Sequence, residues 1–201
     1  MKTVILKYNA GNIRSVVNAL RRLGEEPLVT DSVGALEEAE RVIVPGQGEA
    51  SNTMAYLREH KLDEVIRGLK QPVLGICIGQ QLFCGHSDEG DTSCMGVFPE
   101  VGVQKFVAPE GQRLKVPHIG WNTIHFKEDC PLFDGLDQEC YVYYVHSYYV
   151  PLCGYTLAET NYGGIPFTAA MCKDNFYATQ FHPEKSGDVG EQLLRNFLNL
   201  K

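Results

Sequence analysis

The sequence has no long apolar run, no excess of basic charge and no paired-cysteine motif. The first absence excludes a membrane-crossing helix, which needs about 20 consecutive apolar residues. The nearest approach, Val4-Ile5-Leu6, is bounded by Lys2 and Lys7 and is too short for the apolar core of a signal peptide. The second argues against a nucleic-acid binder: 18 Lys and Arg against 25 Asp and Glu leave a formal net charge of −7, not a basic patch. The third bears on the seven cysteines, at 77, 84, 94, 130, 140, 153 and 172. None forms a Cys-x-x-Cys pair and no histidine spacing resembles a metal site, so no metal and no cofactor are expected. With no export signal, they read as reduced thiols of a cytoplasmic protein rather than a disulfide framework. Repeats, linkers and low-complexity stretches are missing as well. What is present, 201 residues at 44% hydrophobic and 21% charged, suits one large globular domain spanning 1–201.

The first half alternates strands and helices. Thr3 to Lys7 reads as a strand, followed by an amphipathic helix from Asn12 to Leu23 with Ile13, Val16, Val17 and Leu20 on one face and Gly24 stopping it. A strand over Pro27 to Thr30, a short helix over Ala35 to Ala39 and an apolar strand over Arg41 to Val44 follow. Two helices, near Ser51 to Glu59 and Leu62 to Leu69, precede a strand from Val73 to Ile76. This rhythm predicts an α/β fold with a parallel sheet flanked by helices. Right-handed crossovers then bring the loops after Val44 and Ile76 to one rim. The second half reads as successive strands, at Val101–Phe106, Asn122–Phe126, Tyr141–Val150, Tyr155–Thr160, Phe167–Cys172 and Phe176–Phe181, before a last helix over about Val189–Leu200.

The strand from Val73 to Ile76 ends at a cysteine between two glycines, Gly75-Ile76-Cys77-Ile78-Gly79, and Gln80-Gln81-Leu82-Phe83 reads as the opening of a helix. Gly-x-Cys-x-Gly is the thiol form of a nucleophile elbow, a sharp strand-to-helix turn that lifts the nucleophile above a sheet. A thiol at a helix N-terminus also meets the positive end of the helix dipole, which favours thiolate. The alternative is a buried structural cysteine. A thiol nucleophile needs a base, and of six histidines His182 has the most informative setting, Phe181-His182-Pro183-Glu184. A residue before proline is pushed toward extended geometry, and residues two apart in an extended chain share a side. His182 and Glu184 then project together, the carboxylate fixing the imidazole's tautomer. The alternative is a turn residue beside a surface acid.

Together, Gly75-Ile76-Cys77-Ile78-Gly79-Gln80-Gln81 and His182-Pro183-Glu184 resemble the class I (triad) glutamine amidotransferases, and Pro45-Gly46-Gln47-Gly48 resembles their oxyanion loop. Further matches are Pro117-His118-Ile119-Gly120-Trp121-Asn122, Tyr144-Val145-His146-Ser147-Tyr148, Gly11-Asn12-Ile13-Arg14-Ser15 and Lys185-Ser186. They narrow the resemblance to the glutaminase subunits of imidazole glycerol phosphate synthase, over essentially the whole chain.

The resemblance implies a flavodoxin-like fold with an open, mixed, largely parallel central sheet and antiparallel strands in the second half. It implies a Cys77–His182–Glu184 triad that hydrolyses glutamine to glutamate and ammonia through a glutamyl thioester. It gives the oxyanion donors as the Ile78 and Gln47 N–H groups, and the glutamine-binding residues as Gly48, Gln81, Glu89, Ser147 and Tyr148. The partner it implies is a (β/α)₈-barrel cyclase in a heterodimer, met through Asn12, Pro117, His118, Gly120, Trp121, Asn122 and Lys185. That cyclase would use the ammonia to make imidazole glycerol phosphate and aminoimidazole-carboxamide ribotide in histidine biosynthesis. Two departures stand out. Gln47 replaces the usual aliphatic residue, and Lys7-Tyr8-Asn9 stands where the family has Asp-Tyr-Gly. Cys84-Gly85-His86 is also unusual and loosens the alignment of Glu89. His146 reads as core or pocket packing rather than the base, and Cys84 as a small buried residue. Other readings are a glutaminase partner of a different ammonia-using synthase, a γ-glutamyl peptidase, or a non-catalytic regulatory scaffold.

Overall fold

The structure, a computed structural model, describes residues 3–8, 13–111, 113–126 and 130–200. In chain order its first half runs Thr3–Leu6 (β1), Arg14–Arg22 (α1), Leu28–Thr30 (β2), Val33–Glu37 (α2), Arg41–Val44 (β3), Ala50–Glu59 (α3), Leu62–Gly68 (α4), Val73–Ile76 (β4) and Ile78–Phe83 (α5). Strands β1, β3 and β4 are buried at every residue. A strand covered on both faces favours apolar side chains throughout, which is why every residue of these segments except Thr3, Arg41 and Gly75 is Val, Ile or Leu. Successive residues serve opposite faces. Val4, Leu6, Val42 and Val44 pack with Leu36, Met54, Leu62 and Leu82 of α2 to α5, while Ile5, Ile43 and Leu74 pack with Val16 and Leu20 of α1.

The second half contributes Cys84–Ser87 (β5), Thr92–Ser93 (β6), Phe98–Lys105 (β7), His118–Phe126 (β8), Glu139–His146 (β9), Tyr148–Tyr149 (β10), Thr156–Tyr162 (β11), Ile165–Lys173 (β12), Phe176–Thr179 (β13) and Gly187–Asn199 (α6). Among the described residues, the main sheet has nine strands in the order β2-β1-β3-β4-β13-β12-β11-β8-β9. Neighbours from β2 to β13 are parallel and those from β13 to β9 antiparallel. With β13 as fifth parallel strand, this is the 2-1-3-4-5 order of a flavodoxin-like sheet. The expected mixed α/β architecture is therefore present.

Local departures from the sequence reading have physical causes. The helix after Cys77 ends at Phe83, because β5 pairs with β7 so closely that a Cβ on Gly85 would lie 2.2 Å from the Pro99 carbonyl oxygen. The resulting four-stranded second sheet, β10-β7-β5-β6, was not expected, since its short strands carry little apolar pattern. Tyr141 to Val150 is not one strand. It breaks at Ser147, where the chain leaves β9 in the main sheet and enters β10 in the small one. The strand expected from Asn122 begins four residues earlier, so that His118 to Asn122 of the motif form the opening half of β8. The first helix is described from Arg14, and α2 lies two residues earlier than expected.

Candidate active site

Parallel pairing of β4 with β13 sets Ile76 beside Thr179, and the Cys77 N–H donates to the Thr179 carbonyl at 2.7 Å. The elbow and the segment carrying His182 therefore leave the sheet side by side. Cys77 has φ 51° and ψ −104°, a conformation that costs a non-glycine residue energy and that only a well-packed turn sustains. The packing is visible at two glycines. A Cβ on Gly79 would fall 2.4 Å from the Val44 carbonyl oxygen, and one on Gly46 would fall 2.5 Å from that of Ile76. Only glycine permits the loop after β3 to approach the elbow this closely.

His182 adopts the extended backbone that Pro183 demands (φ −100°, ψ 97°), but residues Pro183–Lys185 then form a 3₁₀ turn rather than continuing extended. The turn brings Glu184 Oε1 to 2.8 Å from His182 Nδ1, with side-chain exposures of 2% and 1%. The backbone of His182 is pinned as well: its N–H donates to the Tyr143 carbonyl at 2.9 Å, and Ser186 Oγ donates to its carbonyl at 2.7 Å. His182 Nε2 has no nitrogen or oxygen partner; it faces the Cys77 sulfur. Burial by itself would lower the imidazole pKa, yet the adjoining Cys77 and Glu184 outweigh it and raise the value to about 10. A charged imidazolium is thus favoured between sulfur and carboxylate. Cys77 Sγ also lies 3.8 Å from the Val145 carbonyl and accepts from Gln180 Nε2 at 3.6 Å.

A cavity of about 430 Å³ opens over this group. Its walls include Gln47 and Gly48 from the loop after β3, Cys77, Ile78 and Gln81 from the elbow, Glu89, Ser147 and Tyr148 from the break between sheets, and His182. These are the expected nucleophile and base together with the residues expected to bind glutamine or donate to its oxyanion, gathered from five separate segments. Glu184 stands behind His182. Gln81 Nε2 donates to the Tyr148 carbonyl and to Gln180 Oε1, both at 3.0 Å, and so fixes the segment where the chain changes sheets. The Glu89 carboxylate accepts the Ala50 N–H at 2.8 Å at the start of α3. Its pKa is raised by burial, with the Ala50 N–H opposing.

Pro117 and Lys185 reach the cavity's edge, and Trp121 and Ile119 lie exposed beyond it, each at 55%. Trp121 meets Tyr143 edge-on at 5.9 Å, and Lys185 Nζ stands 5.8 Å over the Tyr143 ring. Gly120 and Asn122 are part-exposed in the same strand. His118 departs from the expected surface group. Alternation along β8 turns it inward, where it is 3% exposed, stacks on Tyr162 at 3.9 Å and contacts His146 Nε2 at 3.0 Å. Asn12 lies outside the described residues. His146 is buried and bonded through Nδ1 to the Tyr148 carbonyl at 2.7 Å; burial chiefly lowers its pKa to about 3, unsuited to a base at neutral pH. Gln180, fully buried, was not singled out from the sequence. Its signal is a lone amide two residues before His182, between Thr179 and Phe181. Among the described residues no group of His, Cys, Asp or Glu converges as metal ligands, and no helix is long and apolar enough to cross a membrane.

Residues 4–200 match the family model of glutamine amidotransferase class-I. The chain is 56% identical to the imidazole glycerol phosphate synthase subunit HisH of Bacteroides thetaiotaomicron and 42% identical to that of Photorhabdus laumondii, each alignment covering 100% of both chains. Among solved structures, a putative GMP synthase subunit from Thermoplasma acidophilum superposes with a TM-score of 0.73 at 20% identity, covering 98% of this chain and 92% of that one. A protein described as a glutamine amidotransferase superposes with a TM-score of 0.71 at 22% identity, covering 97% and 96%. These two likenesses speak to the fold. The sequence identities and the family match go further: the chain belongs to the class-I glutamine amidotransferases, among the HisH subunits of imidazole glycerol phosphate synthase.

Proposed function

We propose that the chain, acting as one domain, hydrolyses glutamine with Cys77, His182 and Glu184 and passes the ammonia to a cyclase subunit that makes imidazole glycerol phosphate and aminoimidazole-carboxamide ribotide. The observation that carries this reading is the buried line from Cys77 sulfur through His182 to Glu184 at the floor of a cavity sized for an amino acid. Cys77 Sγ attacks the side-chain amide carbon of glutamine, forming a carbon–sulfur bond and an oxyanion. His182 Nε2 gives its proton to the amide nitrogen, which leaves as ammonia. The glutamyl thioester remains. Water then attacks the thioester carbon while His182 takes its proton, and glutamate departs with the thiol restored. Glu184 holds the imidazole's orientation and balances its charge.

The oxyanion is received by the Ile78 N–H, first in the elbow helix, and by the Gln47 N–H once the loop presents it. Gly48, Gln81, Glu89, Ser147 and Tyr148 hold the amino-acid end of glutamine, Glu89 attracting its ammonium group. The cyclase docks as the second member of a heterodimer on the surface of Pro117, Gly120, Trp121, Asn122 and Lys185, which continues to the cavity's edge, with Asn12 as a further contact. His118 supports that surface from inside. Seven free thiols accord with a cytoplasmic setting. The deciding experiment measures glutamate release by the purified protein with and without the cyclase. Glutamate release that requires Cys77 supports the reading; none in either case overturns it.

A further inference from the structure

His146 lines the cavity, yet no step of glutamine hydrolysis uses it. It belongs to an unbroken line of buried hydrogen bonds. His146 Nδ1 lies 2.7 Å from the Tyr148 carbonyl, His146 Nε2 lies 3.0 Å from His118 Nδ1, and His118 Nε2 lies 3.4 Å from Asn122 Nδ2. The line runs in one direction only. A carbonyl only accepts, so His146 Nδ1 carries the hydrogen and, in a neutral ring, Nε2 accepts. His118 Nδ1 must then donate, which makes His118 Nε2 an acceptor. The far end agrees: Asn122 Oδ1 accepts the Thr123 N–H at 2.8 Å, leaving Nδ2 as the end that faces His118. Packing fixes both rings. His118 is stacked between Tyr144 at 4.8 Å and Tyr162 at 3.9 Å, and His146 meets Phe106 and Phe167 at 5.3 and 5.2 Å. A proton added to either imidazole would set two N–H groups head to head, so both rings stay neutral at neutral pH, in keeping with the burial that lowers their pKa values.

The line ends on the Tyr148 carbonyl, which also accepts from Gln81 Nε2 at 3.0 Å, so both of its lone pairs are engaged. Tyr148 stands opposite Lys105 where β10 pairs with β7, and the Phe106 N–H donates to the Ser147 carbonyl at 3.0 Å. This pattern makes Tyr148 and Lys105 a non-hydrogen-bonded pair, whose own N–H and C=O groups face away from the neighbouring strand. The Tyr148 N–H therefore shares the side on which its carbonyl meets His146 and Gln81, at the cavity wall. Holding the carbonyl sets the direction of that N–H. We propose that His146, its tautomer fixed by His118, is a positioning residue that aims the Tyr148 N–H at the carboxylate of glutamine. This rests on the glutaminase reading above and assigns the ring to substrate binding, with no share in proton transfer. The amino-acid end of glutamine does not react, so its contacts serve ground state and transition state alike. Their loss then appears in KM more than in kcat.

Two substitutions separate the donor from the bulk of the ring. His146→Leu fills the space without a donor, whereas His146→Asn puts an amide nitrogen where Nδ1 stood. In steady-state glutamate release by the protein with its cyclase, His146→Leu is expected to raise KM for glutamine about three- to tenfold, the worth of one neutral hydrogen bond, with kcat falling by a smaller factor. His146→Asn should recover most of that KM. A His146→Leu protein with the KM of wild type, or a His146→Asn protein as impaired as His146→Leu, overturns the proposal. Should neither variant fold, the nitrogen-15 shifts of the imidazoles in the unmodified protein decide. Both rings in the Nδ1–H form at neutral pH support the line; an Nε2–H form at His146 overturns it. A wild type that releases no glutamate, alone or with the cyclase, sinks the glutaminase reading and this one with it. An active wild type whose KM is unaltered by His146→Leu removes His146 alone.

Discussion

The side-chain amide of Gln180 donates to the Cys77 sulfur at 3.6 Å across 103 positions of sequence, and its oxygen accepts from Gln81 at 3.0 Å. One buried residue thus links the nucleophile to the amide that holds the Tyr148 carbonyl. Gln180→Leu keeps the volume but leaves one of the two Gln81 amide hydrogens unpaired, the other still donating to the Tyr148 carbonyl, with an expected stability loss of about 1–3 kcal/mol. Losing the hydrogen bond to sulfur should lower kcat about tenfold, since such bonds favour the charged thiolate. Denaturant melts and steady-state glutamate release check both effects; a variant with wild-type kcat would leave Gln180 a packing residue only.

Cys77→Ala should abolish glutamine-dependent synthesis by the complex and leave ammonia-dependent synthesis nearly intact, because the thiol serves only to liberate ammonia. His182→Ala should silence the glutaminase as well. His146→Ala should cost under about tenfold in kcat, since the ring it removes is a poor base that holds a carbonyl. If His146→Ala proves the more damaging of the two, the base has been assigned to the wrong histidine.

Gly46→Ala places a methyl 2.5 Å from the Ile76 carbonyl oxygen and 2.8 Å from Cys77 Cβ. Neither backbone at the elbow can yield, so the loop must move. Displacing the Gln47 donor should cost about 10²–10³ in kcat, the usual toll for one lost oxyanion contact. Reaction of Cys77 with a small alkylating agent needs no oxyanion donor and should survive; loss of both would indicate a collapsed elbow instead.

Stability should depend on pH in two opposite senses. His118 and His146 have pKa values lowered by burial to about 4 and about 3, so the unfolded chain binds protons that the folded chain refuses. Their contribution is complete above the ordinary value of 6.5 and is lost as pH falls toward 4, with about two protons taken up on unfolding. His182, raised to about 10, acts the other way: the stability it adds is present below 6.5 and is lost as pH rises toward 10. Urea midpoints across this range should pass through a maximum. His118→Phe should flatten the acid limb only, and an unchanged acid limb would refute the assignment.

Trp121→Ala should weaken binding of the cyclase by about 2 kcal/mol, roughly thirtyfold, as expected for an exposed aromatic anchor. Lys185→Ala should reduce the partner's activating effect more than it reduces folding. Titration calorimetry reads the first directly, and unaltered affinity for Trp121→Ala would take it out of the interface.

The sequence alone determined the local chemistry of this protein. Val73 to Ile76 had to be a buried strand because its side chains are apolar without alternation, and glycines around Cys77 marked a turn that residues with a β-carbon resist. Proline after His182 dictated an extended backbone at the histidine, while the 3₁₀ turn that carries Glu184 back to the imidazole was not legible in it. Family motifs then grouped the segments by resemblance. Tertiary structure decided which of them meet. The pairing of β4 with β13 brings Cys77 beside His182, and such a contact across a hundred residues leaves no local pattern. The same holds for the switch of sheets at Ser147, which a ten-residue run of strand-forming side chains concealed. It holds too for His118, whose inward direction follows from the register of β8 on β9. The grips of Gln180 on Cys77 and of the buried Tyr8 hydroxyl on the Pro45 carbonyl depend on side chains buried between elements, where only packing chooses the partner.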